Sequence, residues 1–135
     1  MAVTSGTVHS VAVLKDDALN DKIKVALVLF TMSGTYAQAD NSILSGVPTL
    51  IQNSRRNGTT VTIKDAMIWQ AARSAADPDV LLGMKTVAIS TNDITFELTL
   101  GAGANALDLS SEFTDSTAIP SQDTPFGLAV VFTEA

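Results

Sequence analysis

The run Lys22-Ile23-Lys24-Val25-Ala26-Leu27-Val28-Leu29-Phe30 constrains this chain most. In an extended strand Ile23, Val25, Leu27 and Leu29 point to one side, and Ala26, Val28 and Phe30 to the other. Both sets are apolar. A strand with one wet face alternates apolar with polar, so this pattern predicts a central strand covered on both faces. The run is too short for a membrane-spanning helix, which needs about 20 apolar residues.

A chain of 135 residues that is 46% hydrophobic, with a mean hydropathy of +0.27, has ample material for one domain's core. Only 16% of it is charged, against about 25% in an average soluble domain. That deficit leans towards burial in an assembly. With no cysteine, disulfides, thiolate chemistry and Cys-type zinc sites are excluded. The first residues, Met1 to Gly6, show no basic and apolar leader pattern, so no secretory signal is expected.

Charge is unevenly placed. Residues 1–100 carry eight basic and nine acidic groups, whereas the last 35 carry Asp108, Glu112, Asp115, Asp123 and Glu134 and no base. Phosphate contact needs cations, so direct nucleic-acid binding through this tail is disfavoured. Two readings of the tail stand: a solvated acidic loop, or a docking surface for a basic partner.

The remaining elements follow from periodicity. Thr7 to Leu14 is rich in β-branched residues and reads as a strand, followed by a polar connection through Asp16, Asp17 and Asp21. Gly34 marks a bend. Ile43, Leu44, Val47, Leu50 and Ile51 fall at helical spacing, with Pro48 in a first turn, Arg55 and Arg56 in a last turn and Gly58 as a cap. These predict one short helix over 47–56. Residues 59–63 return to strand. Residues 65–76 fit either class, and an extended reading to Ala71 is preferred. Lys85–Thr91 and Ile94–Leu100 alternate on either side of a turn placed at Asn92-Asp93, which predicts an antiparallel hairpin with one buried face. Residues 101–125 form a long acidic loop whose few apolar anchors are Leu107, Leu109, Phe113 and Ile119, and Phe126–Thr133 closes the chain as a strand. A loop of that length is functional or held by a partner, so those four residues are the candidate interface.

No catalytic or cofactor motif survives inspection. Gly101-Ala102-Gly103-Ala104-Asn105-Ala106 matches the dinucleotide pattern, but it follows a hairpin strand and no helix of a βαβ unit follows it. His9 is the only histidine and lacks a nucleophile motif such as G-x-S-x-G. Asp16, Asp17 and Asp21 lack the alternation and terminal Glu of a calcium loop. Arg55 and Arg56 read as helix-end cations. Trp69 and Tyr36 are too isolated to make a base-stacking platform and read as core or interface packing. No catalytic residue, metal ligand or cofactor is expected.

The elements sum to an all-β domain over residues 1–135, a mainly antiparallel β-sandwich or barrel-like fold with one short α-helix. Taken whole, the chain resembles small virion structural proteins of tailed phages, most nearly head decoration (capsid cement) proteins. The resemblance is carried by the strand close to Met1, Ser33-Gly34-Thr35-Tyr36, the helix-to-strand unit Pro48–Ile63, Thr91–Leu98 and the terminal Leu128–Ala135. It implies a non-enzymatic virion protein that sits as a homo-oligomer on an assembled shell and bridges subunits of the major capsid protein or another virion protein. It implies no contact with nucleic acid or membrane. A tail or head–tail connector component, and a carbohydrate-binding or adhesin-like β module, remain as alternatives.

Overall fold

A computed structural model describes residues 2–15, 23–38, 42–55, 60–77, 79–101 and 111–134. In chain order the elements are β1 (Ala2–Lys15), β2 (Ile23–Ser33), β3 (Ser42–Leu44), α1 (Val47–Arg55), β4 (Val61–Gln70), β5 (Ala72–Ser74), β6 (Leu81–Ser90), β7 (Asp93–Gly101), β8 (Ser111–Glu112), β9 (Gln122–Thr124) and β10 (Phe126–Glu134). One sheet runs β1-β2-β10-β4; the other runs β3-β7-β6-β5-β9, with β8 also on β7. Every pairing is antiparallel. The fold is the expected mainly antiparallel, sandwich-like all-β arrangement with one short helix, and no barrel closes.

The core fills the space between the sheets. Ala26, Val28, Phe30 and Met32 come from β2, Phe126, Leu128, Val130 and Phe132 from β10, and Ile94, Phe96 and Leu98 from β7. Phe30 stacks on Phe126 at 5.6 Å between ring centroids. The helix begins after Gly46, whose φ of 91° is a backbone state that favours glycine. It sets Val47 and Ile51 into the core, while Leu50 reaches Gly6 on β1. A Cβ at Gly6 would stand 2.8 Å from Leu50 Cδ2, so the bare backbone there lets the helix sit down on the sheet.

Four expectations need correction. First, β2 alternates between buried and partly exposed residues instead of being buried on both sides. Its inner face meets the second sheet, and no described element packs on its outer face. Second, the hairpin turn lies one residue earlier than the sequence implied: Thr91 and Asn92 take φ of 51° and 69°, and Asp93 already pairs with Ser90. The Asn92 side chain explains the shift. Its Oδ1 accepts from Ile63 N (2.8 Å) and its Nδ2 donates to Val61 O (3.1 Å), so the turn is pinned to the start of β4. Third, Val87 is exposed, because the register of β6 on β7 slips between Thr86 and Ala88 and leaves it as the extra residue of a bulge.

Fourth, the described part of the 101–125 segment is packed on its own chain. It supplies β8 and β9, and Phe113 and Ile119 are both buried in the core. Tyr36 is the reason. It lies edge-on to Phe113 at 5.9 Å and beside Phe96 at 6.3 Å, and its hydroxyl donates to Glu112 Oε1 at 2.7 Å while accepting Leu98 N–H. Its backbone pairs with the same segment, Tyr36 N to Thr117 O and Ser116 N to Tyr36 O. Gln38 adds two further ties, its N–H to Asp115 Oδ1 and its Nε2 to Phe113 O. Buried polar groups need partners, and this segment and β7 supply them for Tyr36 within the chain. Leu107 and Leu109 lie outside the described residues.

Candidate functional site

The two sheets present different outer faces. On β7, Thr95, Glu97 and Thr99 alternate with the buried Ile94, Phe96 and Leu98, and Lys85 stands directly across from Glu97 on β6. That face is polar and wet at Thr95, Glu97 and Lys85, while Thr99 at its end is buried. On the other sheet the outward positions are Ile23, Val25, Leu27 and Leu29 on β2 and Ala129 and Val131 on β10, all partly exposed. The register aligns them in rows: Val25 with Val131, then Leu27 with Ala129 and Met67. Met67 on β4 is 63% exposed, the highest of any large apolar side chain among the described residues. This apolar face is the feature of the fold that calls for an explanation. On the flanking strands the rows turn polar, since Val131 pairs with Asp65 on β4 and Leu27 with Ser10 on β1, so the apolar surface is confined to β2, β10 and Met67.

Trp69 borders this face. The register of β4 on β10 slips between Gln70 and Ile68, which leaves Trp69 as a bulge residue, and its side chain is 45% exposed. Atoms Cε2 and Cζ2 of the indole lie over Gly127. A Cβ there would stand 2.6 and 2.9 Å from them, so only a glycine lets the ring rest on the sheet. Beyond Trp69, where β4 runs on into β5 and the second sheet, opens a cleft of about 470 Å³. Its lining joins apolar Ile68, Ala71 and Met84 to polar Gln70, Lys85, Glu97 and Thr99.

Within the acidic tail, Glu134 and Asp123 are neutralised by ion pairs, whereas Glu112 and Asp115 accept hydrogen bonds from neutral groups and keep their charge. Glu134 Oε1 accepts from Lys24 Nζ at 3.0 Å and Arg55 Nε at 2.7 Å, with the Glu134 and Lys24 side chains nearly buried. Arg55 therefore ties the helix to the end of β10 rather than offering a free cation. Asp123 takes two hydrogen bonds from Arg73, which lower its pKa and raise that of Arg73. Glu112 is engaged by Tyr36, and Asp115 by Gln38. Burial, reinforced by the Glu112 carboxylate, pushes the Tyr36 phenol up to about 12, so this proton stays in place across the physiological range. Four of the five tail acids have partners within the chain. Asp108 lies outside the described residues.

His9 falls where the register of β1 slips, between Val8 and Ser10. Asp16, Asp17, Asp21, Arg56 and Gly103 lie outside the described residues, and Gly101 ends β7. Among the described residues no three His, Cys, Asp or Glu side chains gather as a metal site, and no helix is long and apolar enough to cross a membrane. Of the four candidate interface residues, Phe113 and Ile119 are core, and Leu107 and Leu109 lie outside the described residues. The apolar outer face was missed as a site, although its signal, two apolar parities in Ile23–Phe30, was in plain view. Compared with protein-family models, with curated proteins and with solved structures, the chain has no match.

Proposed function

We propose that this protein is a non-enzymatic structural component of a phage virion, decorating or cementing the capsid shell by bridging neighbouring subunits. One observation carries the assembly part of this reading: the outer face of β1-β2-β10-β4 is apolar along β2 and β10 and lacks a covering layer among the described residues. Water is a poor environment for a row of Ile23, Val25, Leu27 and Leu29, and a protein surface laid over them removes that apolar area from solvent. The low charged fraction of the chain points the same way. The phage assignment rests on the resemblance of the sequence to head decoration proteins.

The partner in this reading is the major capsid protein or another virion protein, with a second copy of the chain as the alternative occupant of the face. The test is binding to assembled heads lacking the protein, followed by sedimentation. The wild type should pellet with the particles at a fixed ratio per capsid subunit, and Leu27→Asp should stay in the supernatant while remaining folded. Wild-type protein left wholly in the supernatant would overturn the capsid reading. Equal pelleting of Leu27→Asp would remove the apolar face from it.

A further inference from the structure

The cleft beside Trp69 is a separate feature, and its chemistry differs from that of the apolar face. We infer that it binds a neutral carbohydrate, with the ring of one sugar unit stacked on the indole of Trp69 and its hydroxyls held by Gln70, Lys85, Glu97 and Thr99. The inference does not rest on the capsid reading.

The arrangement is specific in three respects. Trp69 is turned out by a bulge, a device that re-aims side chains beside binding sites. It is also seated: with Gly127 beneath it, the Cε2–Cζ2 edge of the indole lies against backbone and is held in one place, and Trp69 also lines the cleft. A fixed aromatic surface costs little conformational entropy on binding.

The cleft's polar groups are, finally, of mixed character. Lys85 only donates, an ionised Glu97 only accepts, the Thr99 hydroxyl does both, and Gln70 keeps its amide oxygen free to accept while Nε2 donates to Pro125 O. Lys85 and Glu97 face each other across β6 and β7 without forming an ion pair, so both are available to a third group. The cleft volume of about 470 Å³ lies within the roughly 300–1,000 Å³ of small-molecule sites.

These features select among ligands. Phosphate and nucleotides want a cluster of cations, and Glu97 opposes them. A purely apolar ligand would suit Ile68, Ala71 and Met84 but leave Gln70, Lys85, Glu97 and Thr99 desolvated and unpaired. A pyranose has what the cleft lacks: an apolar C–H face for the indole and a rim of hydroxyls that both donate and accept.

Trp69 is the only tryptophan in the chain, so its fluorescence reports this cleft without interference. Titration of the intact protein with cellobiose, maltose, lactose and chitobiose, each to tens of millimolar, should give a saturable change in intensity or wavelength with at least one. Glu97→Gln and Lys85→Ala, on exposed or partly exposed positions, should keep the same circular dichroism and weaken that sugar about tenfold or more, as expected for losing a hydrogen bond to a charged group. Trp69→Ala should abolish saturation-transfer signals from the sugar in ligand-observed NMR. No saturable response to any of the four sugars, or a response that all three variants retain, would overturn the inference. Neither result bears on sedimentation with capsids.

Discussion

Adjacent residues on β2 should respond in opposite ways to the same substitution. Val28 faces Leu128 of β10 and Val8 of β1 on the inner side and is 0% exposed. Leu27 faces outward and is only partly buried. Val28→Asp removes about 1.5–3 kcal/mol of apolar burial and places a carboxyl where nothing can solvate it. That adds several kcal/mol even if the group takes up a proton to stay neutral. The sum is a large part of the roughly 7–20 kcal/mol that a domain of this length has in total. Val28→Asp should therefore be insoluble or lack a cooperative transition. Leu27→Asp gives up part of a leucine's burial and some strand preference, about 1–2 kcal/mol together, with its carboxylate left in water. It should fold, with a urea midpoint shifted modestly to lower concentration and an unchanged m-value. Equilibrium urea denaturation followed by far-ultraviolet circular dichroism makes the comparison. If Leu27→Asp proved as damaging as Val28→Asp in the isolated protein, the outer face would be covered within the chain, and the reasoning from an open apolar face would fail.

Three further outcomes follow from particular contacts. Tyr36 is the only tyrosine, and its phenol is raised from 10.0 to about 12; between those values the unfolded chain has lost this proton and the folded one has not. Stability should thus be insensitive to this group below pH 10 and fall as pH rises towards 12, and a tyrosinate absorbance titration giving an ordinary midpoint would contradict the burial of Tyr36. Thr91→Gly should stabilise the protein by about 1 kcal/mol, because a β-branched residue at φ 51° is strained; a lower melting temperature would place the turn elsewhere. Glu134→Ala should cost about 3 kcal/mol in urea denaturation, since it leaves the nearly buried Lys24 ammonium without its carboxylate, and a loss under 1 kcal/mol would mean that Lys24 reaches solvent.

The parts of the fold legible in the sequence were those where one local pattern has one physical cause. Ile94, Phe96, Leu98 and Leu100 alternate because β7 has a core side and a wet side. The 47–55 helix announces itself through Val47 and Ile51 spacing and Pro48 in the first turn. Residues 61–70 and 72–74 are extended, in line with the strand face shared by Val61, Ile63, Met67 and Trp69 rather than with the helical spacing of the alanines. What stayed hidden was of another kind. The double apolar parity of β2 records that both faces avoid water, and a sequence cannot say whether the second cover belongs to the same chain. Bulges at Trp69 and Val87 reset the inside–outside alternation by one residue, so exposure there depends on the register of a partner strand remote in sequence. The turn was misplaced because Thr91 is a poor choice for positive φ taken alone, and Asn92 pins it through contacts to Val61 and Ile63. Phe113 and Ile119 looked stranded in a polar segment because their partner, Tyr36, lies about eighty residues upstream.

The measurement that bears most directly on the assembly reading is covalent footprinting of the protein free and bound to assembled heads. Amides of β2 and β10 are already held in the sheet, so the informative probes are side chains and edges: carbene or radical footprinting of Leu27, Leu29, Met67 and Val131, read alongside hydrogen exchange at the β4 edge. The account predicts that these outer-face positions are labelled in the free protein and shielded at full occupancy of the shell, while Phe113 and Ile119 remain unlabelled in both states. Outer-face labelling that stays unchanged on saturation of the particle would contradict it.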